Sequence, residues 1–302
     1  MNDTNVSSTI PPSGQVLDAL AAKLDTLTPE TRKAAAYVLE NPNDVGVSSI
    51  RELAAAANVK PNTFVRMARN VGFEGYDDFR MPFREEIRRG GSTFPDRARW
   101  LQSLSRVGQH GDLFASMAAS AIDNIERTFA DTDATKIKAA ADTIVDARQA
   151  YVLGVGINHT LARSFAYLAD MALEKVVAIP REGGVAIDDL ARAGKDDVLI
   201  AMTFKPYRTD VLDAVAAARE QGVTIIGISD SAASPLVAGQ EHGFVVQTES
   251  PQFFTSTIAV AALLETLMAF VVADAKPDVI ENIGRFHDRR VSLGLYRDDN
   301  GG

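Results

Sequence analysis

Between Ser48 and Phe79 the apolar positions fall into two short helical patterns on either side of a break. Ile50, Leu53, Ala54 and Ala57 recur at i, i+3, i+4 and i+7, which is a single apolar stripe on about two turns of helix. Asn58-Val59-Lys60 interrupts the stripe. Pro61 then suits the first turn of a new helix, where a missing N–H costs nothing. In this second helix Phe64, Val65, Ala68 and Val71 form the expected buried side. Lys60, Asn62, Thr63, Arg66, Arg69 and Asn70 face away, and Gly72 ends the pattern. A short helix, a tight turn and a second helix predict a helix-turn-helix. The outward residues have the chemistry of a DNA surface: Arg pairs bidentately with guanine, Asn with adenine, and Thr and Lys reach phosphate. The same spacing also fits a plain helical hairpin with a solvated polar face, and spacing alone leaves both open.

Around this pair the rest of an all-α domain is expected over residues 15–90, after a disordered tail at 1–14. Val16 to Leu27 is amphipathic. Thr28-Pro29-Glu30 opens a further helix, with Thr28 as cap and Pro29 in the first turn, and Asn41-Pro42 closes it. Asp77 to Arg89 is helical in pattern, although Met81-Pro82 interrupts it. Gly90-Gly91-Ser92 starts a linker expected over residues 91–111.

Beyond two helical segments (Asp112 to Phe129 and Asp133 to Asp146) the texture changes at Ala150. Short apolar runs at Tyr151–Val155, Val176–Ile179, Val198–Thr203, Val223–Ser229 and Gly243–Thr248 alternate with helical stretches. The longest of these stretches, Thr255 to Asp274, is apolar nearly all round and predicts packing between layers or in an interface. The alternation predicts an α/β region over residues 112–291: a doubly wound, five-stranded parallel sheet covered on both faces, with a tail at 292–302. Ligands of such sheets sit beyond the carboxyl ends of the strands, so the loops after Val155, Thr203 and Ser229 matter most.

Composition narrows the chemistry. A chain of 302 residues predicts about two domains. The absence of cysteine excludes disulfides, thiolate metal sites and cysteine nucleophiles. His110, His159, His242 and His287 make no ligand pair, so neither a metal nor a cofactor is expected. The polar N-terminus lacks the features of a signal peptide, and the run from Ile258 to Ala273 is broken by Glu265 and Thr266. A cytoplasmic protein without a membrane partner is expected. The net charge of −9 is unevenly placed: residues 1–99 hold 13 basic and 13 acidic side chains, and the remainder hold 18 and 27. Within the first part, Lys60 to Arg89 carries seven basic and five acidic residues, which favours a site-specific binder over one that coats nucleic acid.

Two strand-end loops carry the candidate ligand residues. In Gly154-Val155-Gly156-Ile157-Asn158-His159-Thr160, the glycines Gly154 and Gly156 let backbone N–H groups approach a ligand at the start of a helix, beside Asn158 and His159. It is not the dinucleotide fingerprint, and a bare strand-to-helix turn is the competing reading. In Thr203-Phe204-Lys205-Pro206-Tyr207-Arg208-Thr209, the residues Thr203, Lys205, Tyr207, Arg208 and Thr209 gather two cations, an aromatic and two hydroxyls; a solvated charged turn is the alternative. His159 and the carboxylates Glu174, Glu182, Glu249 and Glu265 show no spacing that would tie them into an acid–base set.

Together, LTPETRKAAAYVLENPNDV and SSIRELAAAANVKPNTFVRMARNVGFEGYDDFR, followed by the α/β segment, resemble the RpiR family of bacterial transcription regulators. The resemblance runs from about Leu27 to Ala273 and implies a helix-turn-helix domain followed by a sugar isomerase (SIS) domain. It implies double-stranded operator DNA as partner, a homodimer or homotetramer, and a phosphorylated sugar or sugar acid as effector, without turnover. Asn158 stands where the family usually carries Ser. The Ser-x-Ser-Gly-x-Thr phosphate loop is replaced, with Lys205 for the second Ser, Pro206 for Gly and Arg208 for Thr. An anionic metabolite gripped by Lys205 and Arg208 and covered by Tyr207 or Phe204 is therefore expected. Lys60 replaces a common Ser cap. A sugar-phosphate isomerase and a sensor acting through protein partners are the competing classes.

Overall fold

The computed structural model describes residues 11–88, 94–106, 110–273, 275 and 277–296. The chain divides into two compact units, one of residues 1–121 with 249–256 and the other of residues 122–248 with 257–302.

The first unit is helical. It contains α1 (Ser13–Lys23), α2 (Pro29–Glu40), α3 (Pro42–Val47), α4 (Ile50–Ala56), α5 (Pro61–Asn70), α6 (Tyr76–Arg88) and α7 (Phe94–Arg106), and then enters α8 (His110–Ala130). Val16, Leu20, Ala34, Val38, Leu53, Phe64, Met67, Phe79 and Phe83 make its core. The Asn41-Pro42 stop ends α2 as expected, but Pro42 also serves as the first residue of α3, a helix the sequence reading missed. Thr28 holds the cap position of α2 without capping it: its Oγ1 lies 2.9 Å from the Oγ1 of Thr31. α6 continues through Pro82, which is buried.

Much of the expected linker is helix. In α7, Trp100 and Leu104 pack against Val47 and Ile87, and this apolar side gives residues 94–106 a reason to be ordered. The Gly90-Gly91-Ser92 signal, the tail at 1–10 and the tail from 297 lie outside the described residues. Arg97 of α7 is buried, and its guanidinium donates to the carbonyls of Ser250 and Phe254 within the same unit.

The second unit is the predicted parallel sheet. After α8 come α9 (Ala134–Asp146), β1 (Ala150–Leu153), α10 (Ile157–Asp170), β2 (Val176–Ile179), α11 (Ala186–Asp189), β3 (Val198–Met202), α12 (Thr209–Glu220), β4 (Thr224–Ser229), β5 (His242–Val245), α13 (Ile258–Ala273) and α14 (Pro277–Ser292). The strand order is β2-β1-β3-β4-β5, with every neighbouring pair parallel. Alternation along the strands builds two cores. Val152, Ile200, Ile226 and Phe244 face α9, α10 and α13, while Tyr151, Leu153, Leu199 and Ala201 face α11 and α12. α13 buries one side through Val260, Leu263, Leu264, Leu267 and Val271, and leaves Ile258, Glu265 and Ala269 exposed. No single helix among the described residues is long and apolar enough to cross a membrane.

The order reverses between β1 and β3. This is the switch point, beyond whose strand ends a doubly wound sheet takes its ligands.

Candidate nucleic-acid interface and effector crevice

α4 begins with a reciprocal cap that the sequence reading overlooked, although Ser49-Ile50-Arg51-Glu52 is its signature. The Ser49 Oγ accepts from Glu52 N at 3.3 Å, and the Glu52 carboxylate accepts from Ser49 N at 2.7 Å. The helix ends where Val59 N donates to Ala54 O (2.9 Å) and Asn58 N to Ala55 O (3.2 Å), with Asn58 at φ 51°. These paired bonds are a Schellman ending, and Asn is one of the few residues besides Gly that tolerates the left-handed position it needs. Pro61 opens α5 two residues later. Lys60 holds the cap position with extended backbone and no side-chain cap bond.

α5 buries Thr63, Phe64, Met67 and Ala68, with Phe64 set edge-on to Tyr76 at 5.9 Å between ring centroids. Lys60, Asn62, Arg66, Arg69 and Asn70 are exposed, as expected. Thr63 is a correction, because it is only 2% exposed and cannot offer its hydroxyl to a base in this conformation. Met67 supplies the reason. It lies one turn beyond Thr63, and its burial rotates the apolar side by one position from the expected Phe64–Val65–Ala68 stripe, leaving Val65 only partly buried. Arg69 donates Nε to the carbonyl of Glu74 (3.1 Å), in the turn that leaves the helix. The side chains of Lys60 and Arg66 meet no carboxylate among the described residues. α5 itself contains no acidic residue.

In the sheet unit, β1 passes into α10 through a turn that needs its glycines. A Cβ on Gly154 would lie 2.2 Å from the carbonyl oxygen of Asn158, and Gly156 has φ 64°. The His159 Nδ1 lies 3.2 Å from the carbonyl of Gly154. A carbonyl can only accept, so this contact places a proton on Nδ1. Asn158, 8% exposed, holds its side-chain oxygen buried without a hydrogen-bond partner.

The loop after β3 is tied together by its own groups. Thr203 is buried, and its Oγ1 accepts from the backbone N–H of Arg208 (3.1 Å); Ser229, at the end of β4, donates its hydroxyl to Thr203 O (2.7 Å). The backbone N–H of Lys205 donates to Oδ2 of Asp230 (3.2 Å). Tyr207 is half-buried, and burial followed by the charge of the nearby Asp230 carboxylate raises its phenol above the ordinary value. Arg208 does not face the crevice as a free cation. Its guanidinium makes two bonds to Asp210, at 3.1 and 2.6 Å, and this pairing holds the Asp210 carboxyl below its usual range. Phe204 is core rather than cover, packed with α9, α10 and α13. Lys205 and Thr209 are exposed.

Asp230 and Ser229 are the site residues that sequence reasoning missed. Both sit at the carboxyl end of β4, the third strand end that topology singles out. Clefts of about 430 and 460 Å³ lie instead near the start of β2, lined by residues of the 172–175 turn and α14, away from the strand ends where a doubly wound sheet takes its ligands.

A helix-turn-helix with an exposed cationic second helix, joined in one chain to a parallel α/β sheet of SIS type, defines a transcriptional regulator with a SIS domain. Residues 14–90 match the helix-turn-helix domain of the rpiR family and residues 143–273 match the SIS domain. The chain belongs to the RpiR family of helix-turn-helix regulators. An uncharacterised HTH-type transcriptional regulator of Caldanaerobacter subterraneus subsp. tengcongensis is 22% identical over 88% of this chain and 93% of its own length. The HTH-type transcriptional regulator HexR of Pseudomonas aeruginosa is 25% identical over 73% of this chain and 75% of its own. Among solved structures, the Vibrio vulnificus NanR protein complexed with ManNAc-6P shares the fold, with a TM-score of 0.55 and 21% identity over 92% of this chain and 98% of that one.

Proposed function

We propose that α5 reads operator DNA in the major groove through Lys60, Asn62, Arg66, Arg69 and Asn70. The crevice between the loops after β1 and β3 binds a small carbohydrate-derived effector, a sugar phosphate or sugar acid, that changes operator affinity. The observation that carries the DNA reading is the exposed side of α5, where Lys60 and Arg66 have no carboxylate partner among the described residues and two asparagines lie beside them. Gly154, Gly156, Asn158 and His159 on one wall, and Thr203, Lys205, Tyr207, Arg208 and Thr209 on the other, frame the effector site. The NanR complex with ManNAc-6P supports this class of ligand. The protein works as a homodimer or homotetramer, so that paired recognition helices meet half-sites about 34 Å apart or a multiple of that. It binds its effector without turning it over.

Selection of binding sites from a random duplex library by the full chain tests the first half. Recovered sequences should be two-fold symmetric and bind specifically. Titration of the selected site with sugar phosphates, sugar acids and free sugars tests the second. A library that yields no enriched sequence, together with isomerisation of a sugar phosphate by the purified chain, would overturn the reading in favour of an enzyme.

A further inference from the structure

The loop after β3 stands where the family's phosphate loop is expected, yet several of its donors are already in use. Lys205 N–H is taken by Asp230, Arg208 N–H by Thr203, Pro206 has none, and the Arg208 guanidinium is neutralised by Asp210. A phosphate nest works by presenting unoccupied N–H groups and cations to an anion. Here a carboxylate of the chain itself lies against that loop, accepting from Lys205 N–H, with the Ser229 Oγ 3.3 Å from its other oxygen and Tyr207 close enough to feel its charge. A phosphoryl group carrying nearly two negative charges would have to displace this carboxylate and remain beside it, which like charges oppose.

We infer that Asp230 acts as a built-in anion that excludes phosphoryl groups from this loop and accepts hydroxyls of the effector. The ligand class is a polyhydroxylated molecule with at most one negative charge, a sugar acid or free sugar, and this rests on the crevice being the effector site. Three features agree. An ionised carboxylate offers about four acceptor positions, so Asp230 retains capacity beyond the Lys205 N–H that it accepts. Asp230 is half-buried rather than sealed, and so remains reachable. The facing turn adds an acceptor, the unpartnered Asn158 oxygen. Lys205 Nζ, exposed and without a carboxylate partner among the described residues, is left for a single charge such as a sugar carboxylate. Asp230 is thus a specificity-determining residue, and no covalent chemistry is assigned to it.

The test is calorimetric titration of the full chain with inorganic phosphate, glucose 6-phosphate and gluconate. Asp230→Asn should bind inorganic phosphate and glucose 6-phosphate about tenfold more tightly than the wild type, the order expected when one like charge at contact distance is removed. Adding Lys205→Ala should cancel the gain and so place it in this loop. Asp230→Ser gives the same reading should the Asn variant unfold. Phosphate that binds wild type as well as or better than both variants overturns the inference, and so does a gain that survives Lys205→Ala. Failure of the effector-site reading would look different: phosphate would bind the variant in this loop, yet operator affinity would ignore it.

Discussion

The recognition helix α5 and the loop after β3 both expose clustered cations, and they treat them in opposite ways. Lys60 and Arg66 project from a helix that contains no acidic residue and have no carboxylate partner among the described residues. Arg208 and the backbone of Lys205 are matched by Asp210 and Asp230. Unmatched cations on a rigid element suit a polyanion that lies across a surface and releases counterions. Cations matched from within suit a small ligand whose hydroxyls and single charge must be told apart. One chain can therefore be acidic overall, carry a helix suited to DNA in one unit and, as proposed, a loop that discriminates against phosphate in the other.

The comparison is broken most completely by removing what holds α5 in place. Phe64 is fully buried beneath it, edge-on to Tyr76. Phe64→Ala should cost the helical unit about 3–5 kcal/mol, the usual range for a deleted core aromatic. The protein's single tryptophan, Trp100, packs on Val47 and Ile87 of that unit, so its fluorescence during urea denaturation reports the change directly. Specific DNA binding should be lost with it. A midpoint within error of wild type would mean that α5 is not anchored as described.

Arg66→Ala tests the free cation itself. If Arg66 pairs bidentately with a base, the substitution should weaken the selected operator by about 1–3 kcal/mol and relax preference at one base position, with the unfolding midpoint unchanged. Fluorescence anisotropy on matched and mismatched duplexes separates these outcomes. A uniform loss on all sequences would move Arg66 from base to phosphate, and no loss would remove it from the interface.

How much of this was legible in the sequence follows the same division. α4, its break and α5 could be placed from spacing and Pro61 alone, because local pattern and local chemistry agree there. The doubly wound sheet was legible from its alternating runs, and the β1–α10 turn from its glycines. Thr63 was misplaced because a polar residue was assigned to the solvent side, while Met67, the apolar residue one turn on, was left out of the stripe. The loop after β3 was less legible for a different reason. Its residues were correctly singled out, but Arg208 was expected to grip a ligand because the partners that occupy the loop, Asp210 and Asp230, are contributed by the next helix and by the neighbouring strand. Charge in a sequence shows that a cation is present, and only packing shows whether it is already paired. α7 escaped for a similar reason, since Val47 and Ile87, which order it, are distant in the chain.

Lys60 joins stability to recognition in one residue. It caps α5 without a side-chain bond, so Lys60→Ser should supply the missing acceptor and stabilise the helical unit by about 1 kcal/mol. The same change removes a cation from the proposed DNA side. The slope of log affinity against log salt should become shallower by about one if Lys60 contacts a phosphate. A more stable protein that binds DNA with reduced salt dependence is the expected pair of results. Greater stability with an unchanged slope would restrict Lys60 to a local role and leave Arg66 and Arg69 to carry the electrostatics.

The smallest effect belongs to the matched pair. Asp210 and Arg208 are both about half exposed, so solvent screens their attraction, and Asp210→Asn should lower stability only by the small amount typical of surface ion pairs. Its pH dependence carries the information. Pairing with Arg208 depresses the Asp210 carboxyl, so the contribution is fully present above the ordinary carboxylate range and is lost as pH falls through the depressed value. Wild type and Asp210→Asn should therefore differ in urea midpoint at pH 7 and converge in strong acid. Freed from its partner, Arg208 should also recruit phosphate to the loop in the variant at neutral pH, adding a second unmatched cation beside Lys205. Convergence of the midpoints without that gain would show that Asp230 alone keeps phosphate out.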